Sequence, residues 1–227
     1  MHNFGLCNKV TLMLGNQDEQ GTKRPMPEAV IFDLDGTLVS SNLDFRAIRE
    51  QTGCMSGQDI LCYMETLSLV ERSKVAQIIY DHEMKDAHSC EVLPGVHAML
   101  KALEQKNTRI AIVTRNSAPA TQIKLARTGI NLEHVITRDD APPKPAPDAL
   151  INLAKLWGVE QKNCVYVGDY VYDIEAAHRA NMHSALYSTA GLPDFAEQAH
   201  FVFRHHDEFE AVLMDYWNAS VLCSLGE

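Results

Sequence analysis

Asp33 and Asp35 stand two residues apart behind the apolar run Val30-Ile31-Phe32, and Gly36-Thr37 follow at once. Three apolar residues of high β propensity read as a short buried strand, and Gly36 marks where the chain turns. Both carboxylates then fall at the strand's C-terminal end, where open α/β sheets gather their ligands. Turn formation accounts for a single Asp in such a place. Three further polar signals occupy the same position after later strand-like runs. Thr114 follows residues 109–113. Lys144 lies in the proline-rich loop 139–147. Asp169 and Asp173 follow residues 164–167. In a parallel sheet these ends share one edge, so residues over a hundred apart in sequence converge.

The residue types define the chemistry available there. Asp33 and Asp169, with a backbone carbonyl near Asp35, offer hard oxygens, and carboxylate, carbonyl and water are the ligand set of Mg2+ rather than zinc. Asp173 fits as the N-cap of its helix. Thr114 brings a hydroxyl and Lys144 a compact cation, both suited to a phosphoryl group in transfer. Of two carboxylates at one strand end, one can attack phosphorus and the other move a proton. Arg115 and Asn116 follow the second strand and are candidate substrate contacts, as are Arg46 and Arg49 farther upstream.

The elements that must position these groups alternate. After the first strand, helical patterns are expected over 43–52 (ended by Gly53), 58–67 and 71–87, with Val75, Ile78, Ile79 and His82 on one face of the third. No strand pattern interrupts residues 42–89, so a helical insert is expected over 41–90. Helix 96–105, strand 109–113 and a helix capped by Ser117 and ending near Thr128 follow. A short strand at 135–136, a helix capped by Asp148, strand 164–167, helix 173–181 and strand 184–187 come next. A strand at 201–203 and a helix over 208–217 close the chain. Strands alternating with helices of about ten residues indicate an α/β fold with a parallel sheet and right-handed crossovers. The expected organisation is a core of 28–40 and 91–227, the helical insert 41–90 and an N-terminal extension 1–27. Residues 10–14 form the extension's one apolar patch.

The 227 residues are 46% hydrophobic and 22% charged, enough for a sizeable core without structural metal or disulfide. Net charge is −10 and the pI about 5.4, and no basic stripe is present, so no nucleic-acid binding is expected. The six cysteines show no metal-binding or redox spacing. No apolar run approaches the roughly 20 residues of a membrane span, and 10–14 is too short for a signal sequence. A soluble, cytoplasmic protein with no membrane partner is the expectation; oligomeric state is not read from the sequence.

Asp33-Leu34-Asp35-Gly36-Thr37, the strand ending in Thr114, Lys144-Pro145 and Gly168-Asp169-Tyr170-Val171-Tyr172-Asp173 together resemble the haloacid dehalogenase superfamily of phosphatases. The resemblance covers residues 28–190, with the four motifs in order. The insert resembles the C1 cap class of phosphoglycolate-phosphatase-like members, although its helices are shorter than in many of them. The resemblance implies a Rossmannoid core, a required Mg2+, a small phosphorylated metabolite as substrate and a phosphoaspartate intermediate. It casts Asp33 as nucleophile, Asp35 as acid then base, and Thr114 and Lys144 as the phosphoryl-binding pair. Asp169 becomes a metal ligand, and Asp173 a ligand or a partner one shell out. Asp35 argues against dehalogenation, because dehalogenases of the superfamily lack that aspartate. A phosphotransferase or sugar-phosphate mutase on the same scaffold, and a catalytically idle binding module, are the alternatives.

Overall fold

A computed structural model describes residues 26–224. The apolar patch at 10–14 and the rest of the expected N-terminal extension up to residue 25 lie outside the described residues. Six parallel strands, β1 (Ala29–Phe32), β2 (Arg109–Val113), β3 (His134–Ile136), β4 (Cys164–Gly168), β5 (His183–Tyr187) and β6 (Phe201–Phe203), form one sheet in the order β3-β2-β1-β4-β5-β6. The chain fills the sheet outward from β1 on one side, then returns and fills it outward from β4 on the other. The reversal between β1 and β4 is the topological switch point at which such sheets bind ligands.

Three helices separate β1 from the rest: α1 (Phe45–Thr52), α2 (Ile60–Glu65) and α3 (Leu69–Ala87). Gly53 ends α1 in the left-handed conformation, as its position predicts. Ser68 and Glu71 form a capping box at the start of α3. These helices share a small apolar core of Ile48, Cys54, Ile60, Leu61, Val75 and Ile79, distinct from the clusters of the sheet. The inner face of α3 departs from the expected stripe. Ile78 and His82 are half-buried, and the buried positions beyond Ile79 are Glu83, Asp86 and Ala87, two of the three charged.

After the insert come α4 (Val96–Gln105), α5 (Ala118–Thr128), α6 (Asp148–Trp157), α7 (Val171–Arg179) and α8 (Phe209–Ser224). Helices α4 and α8 cover one face of the sheet through Val30, Phe32, Leu100, Leu103, Phe209 and Leu213. Helices α6 and α7 cover the other through Ile31, Tyr166, Leu150, Leu153, Ala176 and Ala177. Alternate residues of β1 thus serve opposite faces, which is why its sequence is continuously apolar. Ile31 and Phe32 are fully buried, and each such side chain contributes about 1.5–3 kcal/mol.

Three helix caps differ from expectation: α7 begins at Val171, with Tyr170 rather than Asp173 at the cap. Ser117 precedes α5, but its buried hydroxyl has no hydrogen-bond partner; Asp139 caps the helix instead, accepting from the Ala118 N–H at 2.8 Å. Asp148 lies inside α6, with Pro147 at the cap. Among the described residues no helix is long and apolar enough to cross a membrane.

Candidate active site

Register places the site. Phe32 pairs with Ile112 of β2 and with Val167 of β4. Asp33 therefore leaves the sheet level with Val113 and Gly168, and Thr114 and Asp169 stand one residue beyond it on either side. The Asp33 N–H donates to Val167 O at 2.8 Å, so the strand holds the backbone up to the carboxylate. The chain then turns at Gly36, whose φ is +74°. A Cβ there would lie 2.3 Å from Asp169 Oδ2, so the turn needs glycine for conformation and for space alike.

Lys144 reaches in from the proline loop. Its Nζ lies 2.6 Å from Asp33 Oδ1 and 2.7 Å from Asp173 Oδ1, and the residue is 4% exposed. Burial opposes the ammonium charge, but Asp173 and Asp33 outweigh it and its pKa lies above the usual lysine value. Asp173 sits in the first turn of α7, where its Oδ2 accepts from the Tyr170 N–H at 3.0 Å. Its Oδ1 accepts from Lys144 and, at 3.2 Å, from the Tyr166 hydroxyl. With both oxygens engaged, Asp173 anchors the lysine as well as the helix.

Asp33, Asp169 and Asp173 present carboxylate oxygens within 4.8 Å of one another. Burial raises the Asp33 pKa to about 7 against the pull of Lys144, and Asp173 and Asp35 add to the rise. Burial, Asp33 and Asp173 raise Asp169 to about 8. Three carboxylates around one lysine are short of positive charge, and all the donors are hard oxygens. That donor set fits a hard divalent cation. The space that a Cβ at Gly36 would fill leaves Asp169 free to face the cluster.

Asp35 is held separately. Its Oδ2 accepts from Asn116 Nδ2 at 2.7 Å and its Oδ1 from Lys124 Nζ at 2.5 Å. Burial nevertheless raises its pKa above the usual carboxylate value. The Thr114 hydroxyl accepts from the Asn116 N–H at 3.2 Å, and this buried threonine lines the same cleft as Asp33 and Lys144. The cleft measures about 490 Å3, and α1–α3 contribute Ile48, Arg49, Asp59, Leu61 and Ile79 to its walls.

The four expected cationic and amide contacts separate. Asn116 is engaged with Asp35. Arg115 spans the cleft, pairing with Asp59 at the start of α2, donating to Lys144 O at 2.8 Å and lying 4.7 Å from the Tyr172 ring centroid. Arg49 lines the cleft, yet its guanidinium donates to Met55 O at 2.8 Å and to Gln58 O, fastening the α1–α2 connection. Arg46 lies outside: its side chain is 85% exposed and pairs with Glu50 at 4.0 Å. The helical period puts it on the outer face of α1, opposite Ile48.

Lys124, Asp86, Glu83 and Tyr166 also belong to the polar surroundings of the cleft and follow no strand-end motif. Their signal is positional. Thr121, Lys124 and Thr128 recur at helical spacing on the buried face of α5, and Glu83 and Asp86 continue the buried face of α3. Charge at inward positions marks a polar site rather than a solvated face.

Residues 30–187 match the family model of the haloacid dehalogenase-like hydrolases. A haloacid dehalogenase-like hydrolase domain-containing protein of Arabidopsis thaliana is 29% identical over 174 residues, 71% of this chain and 71% of its own. A phosphoglycolate phosphatase of Xylella fastidiosa is 31% identical over 180 residues, 70% of this chain and 79% of its own. Among solved structures, a hydrolase from Pseudomonas syringae superposes with a TM-score of 0.71 at 21% identity, covering 83% of this chain and 98% of that one. The chain belongs to the haloacid dehalogenase-like hydrolases.

Proposed function

We propose that the protein is a Mg2+-dependent phosphatase that hydrolyses a small phosphomonoester through an aspartyl-phosphate at Asp33. The observation that carries the reading is the convergence of Asp33, Asp35, Thr114, Lys144 and Asp169 on one cleft at the C-terminal ends of β1, β2 and β4. Relatives named phosphoglycolate phosphatase and, in Oceanobacillus iheyensis, pyrophosphatase PpaX support phosphoryl chemistry. Asp33 and Asp169, with the backbone beside Asp35, would hold the ion. When bound, Mg2+ supplies charge neutralisation for the phosphoryl group and for the carboxylates around it.

In this reading an Asp33 oxygen attacks phosphorus. The bond from phosphorus to the ester oxygen breaks, and that oxygen takes the proton of Asp35, whose raised pKa suits an acid. Lys144 and the Thr114 hydroxyl bind the phosphoryl oxygens, and Lys144 keeps Asp33 oriented through its anchor on Asp173. Asp35, now a carboxylate, takes a proton from water as the water oxygen attacks phosphorus. The bond between Asp33 and phosphorus breaks, and inorganic phosphate leaves.

Residues 41–90 act as a cap in this account. Their two junctions with the core lie side by side: the Ser40 N–H donates to Glu91 O at 2.8 Å and the Glu91 N–H to Ser40 Oγ at 2.9 Å. A cap joined through two such adjacent connections can close the cleft and exclude water from a small substrate. The test is phosphate release from a panel of glycolate, glycerol, sugar and nucleoside monophosphates and p-nitrophenyl phosphate, with and without Mg2+. Turnover of at least one ester, lost on chelation and in Asp33→Asn, is the expected result. Undiminished turnover in Asp33→Asn removes the mechanism.

A further inference from the structure

Lys124 has no exposed surface and no part in the mechanism above. Its Nζ lies 2.5 Å from Asp35 Oδ1 and 2.6 Å from Asp86 Oδ2. Asp86, 4% exposed near the end of α3, also accepts from the Asn42 N–H at 2.6 Å and from the Ser41 hydroxyl at 3.1 Å. The lysine is thus oriented by a carboxylate that is itself fixed by the segment entering the insert. Asp35 is gripped at both oxygens, by this ammonium and by the Asn116 amide.

A buried ion pair is a poor way to join two helices. Desolvating the charges offsets most of their attraction, and apolar side chains of similar volume do the same work at lower cost. The other buried residues of α5 are Ala120, Thr121 and Thr128, so Lys124 is the one long side chain buried there. Its ammonium ends on the carboxylate assigned to proton transfer.

We propose that Lys124 is a positioning residue for Asp35: its ammonium fixes the carboxylate facing the cleft, and Asp86 fixes the ammonium. The inference rests on the phosphatase reading, in which Asp35 protonates the leaving alcohol.

Leaving groups separate this role from a structural one. An alkyl alcohol departs with the acid's proton, whereas p-nitrophenolate departs without it. The variant is Lys124→Met combined with Asp86→Asn, which leaves no bare carboxylate at Asp86 and keeps an acceptor for the Asn42 N–H; wild type is the reference. Against this reference, kcat/KM for the fastest alkyl monoester of the panel is expected to fall about 100-fold, and that for p-nitrophenyl phosphate less than tenfold. Circular dichroism and the unfolding midpoint report whether the fold is retained, and the ratio of the two losses is independent of the fraction folded. Equal losses on both substrates, or no loss on either, overturn the proposal while leaving the phosphatase reading intact. A wild-type protein that turns over no alkyl monoester overturns the acid role of Asp35 and the proposal with it.

Discussion

Replacing Lys144 by Met removes the one cation between Asp33 and Asp173, two carboxylates with side chains 11% and 3% exposed. Asp33 then faces Asp169 and Asp173 with nothing to offset them. Breaking a buried pair by deleting one partner costs about 3–5 kcal/mol, because the remaining charge is left without compensation. Each kcal/mol lowers the melting temperature of a domain this size by about 2–4 °C, so a fall of roughly 6–20 °C is expected. The assay is urea unfolding in EDTA at pH 8, above the Asp33 pKa of about 7, with the slope checked for a change in the surface exposed. Acid relieves the penalty: without the lysine the carboxylates hold protons more tightly when folded than when unfolded, so the variant regains stability as pH falls. At pH 5.5 the gap to wild type is expected to shrink by half or more. A loss below about 1 kcal/mol at pH 8, or an equal loss at both pH values, refutes the electrostatic account of Lys144.

The raised pKa values of Asp33 and Asp169, about 7 and about 8, make folding without metal less favourable as pH rises from the unfolded carboxylate range through those values. A cation relieves the repulsion only once the protons are gone, so the increase in melting temperature on adding Mg2+ is expected to grow between pH 5.5 and pH 8.5, as thermal scans in paired buffers would register. Gly36→Ala forces a Cβ to 2.3 Å from Asp169 Oδ2 at a φ of +74°; phosphate release is expected to fall at least 100-fold, and Mg2+ is expected to lose its effect on the melting temperature. Arg46→Ala, on the outer face of α1, is expected to change KM by about twofold at most and stability by no more than about 0.5 kcal/mol, as steady-state kinetics and urea titration would show.

The framework of this site is legible in the chain because strand ends announce themselves. Val30 to Phe32 and residues 164–167 are continuously apolar, buried on both faces as a central parallel strand requires, and the first polar residues after them are the site carboxylates. That the sheet is parallel follows from the alternation of strands with helices; its strand order is set by tertiary packing and is seen only in the fold. Local polarity without a strand-end signal was less informative. Ser117 has the right residue type for a cap, but Asp139, brought back by the turn after β3, does the capping through tertiary contact. Arg46 and Arg49 share a helix and a charge, yet one faces solvent and the other secures a loop beside the cleft. Lys124 and Asp86 escape notice because a lysine and an aspartate on helices usually face water, and their ion pair joins segments 38 residues apart. Tyr166 reads as a strand aromatic; its hydroxyl on Asp173 exists only because α7 folds back over β4.

The central claim is that Asp33 carries the phosphoryl group. Its most direct measurement is rapid acid quenching of the enzyme during turnover of a 32P-labelled ester with Mg2+ present, followed by peptide mapping. The account predicts protein-bound label that survives acid, is released by alkali and hydroxylamine, maps to Asp33 and is absent from Asp33→Asn. Phosphate release at the full rate with no protein-bound label, or label on a residue other than Asp33, contradicts it.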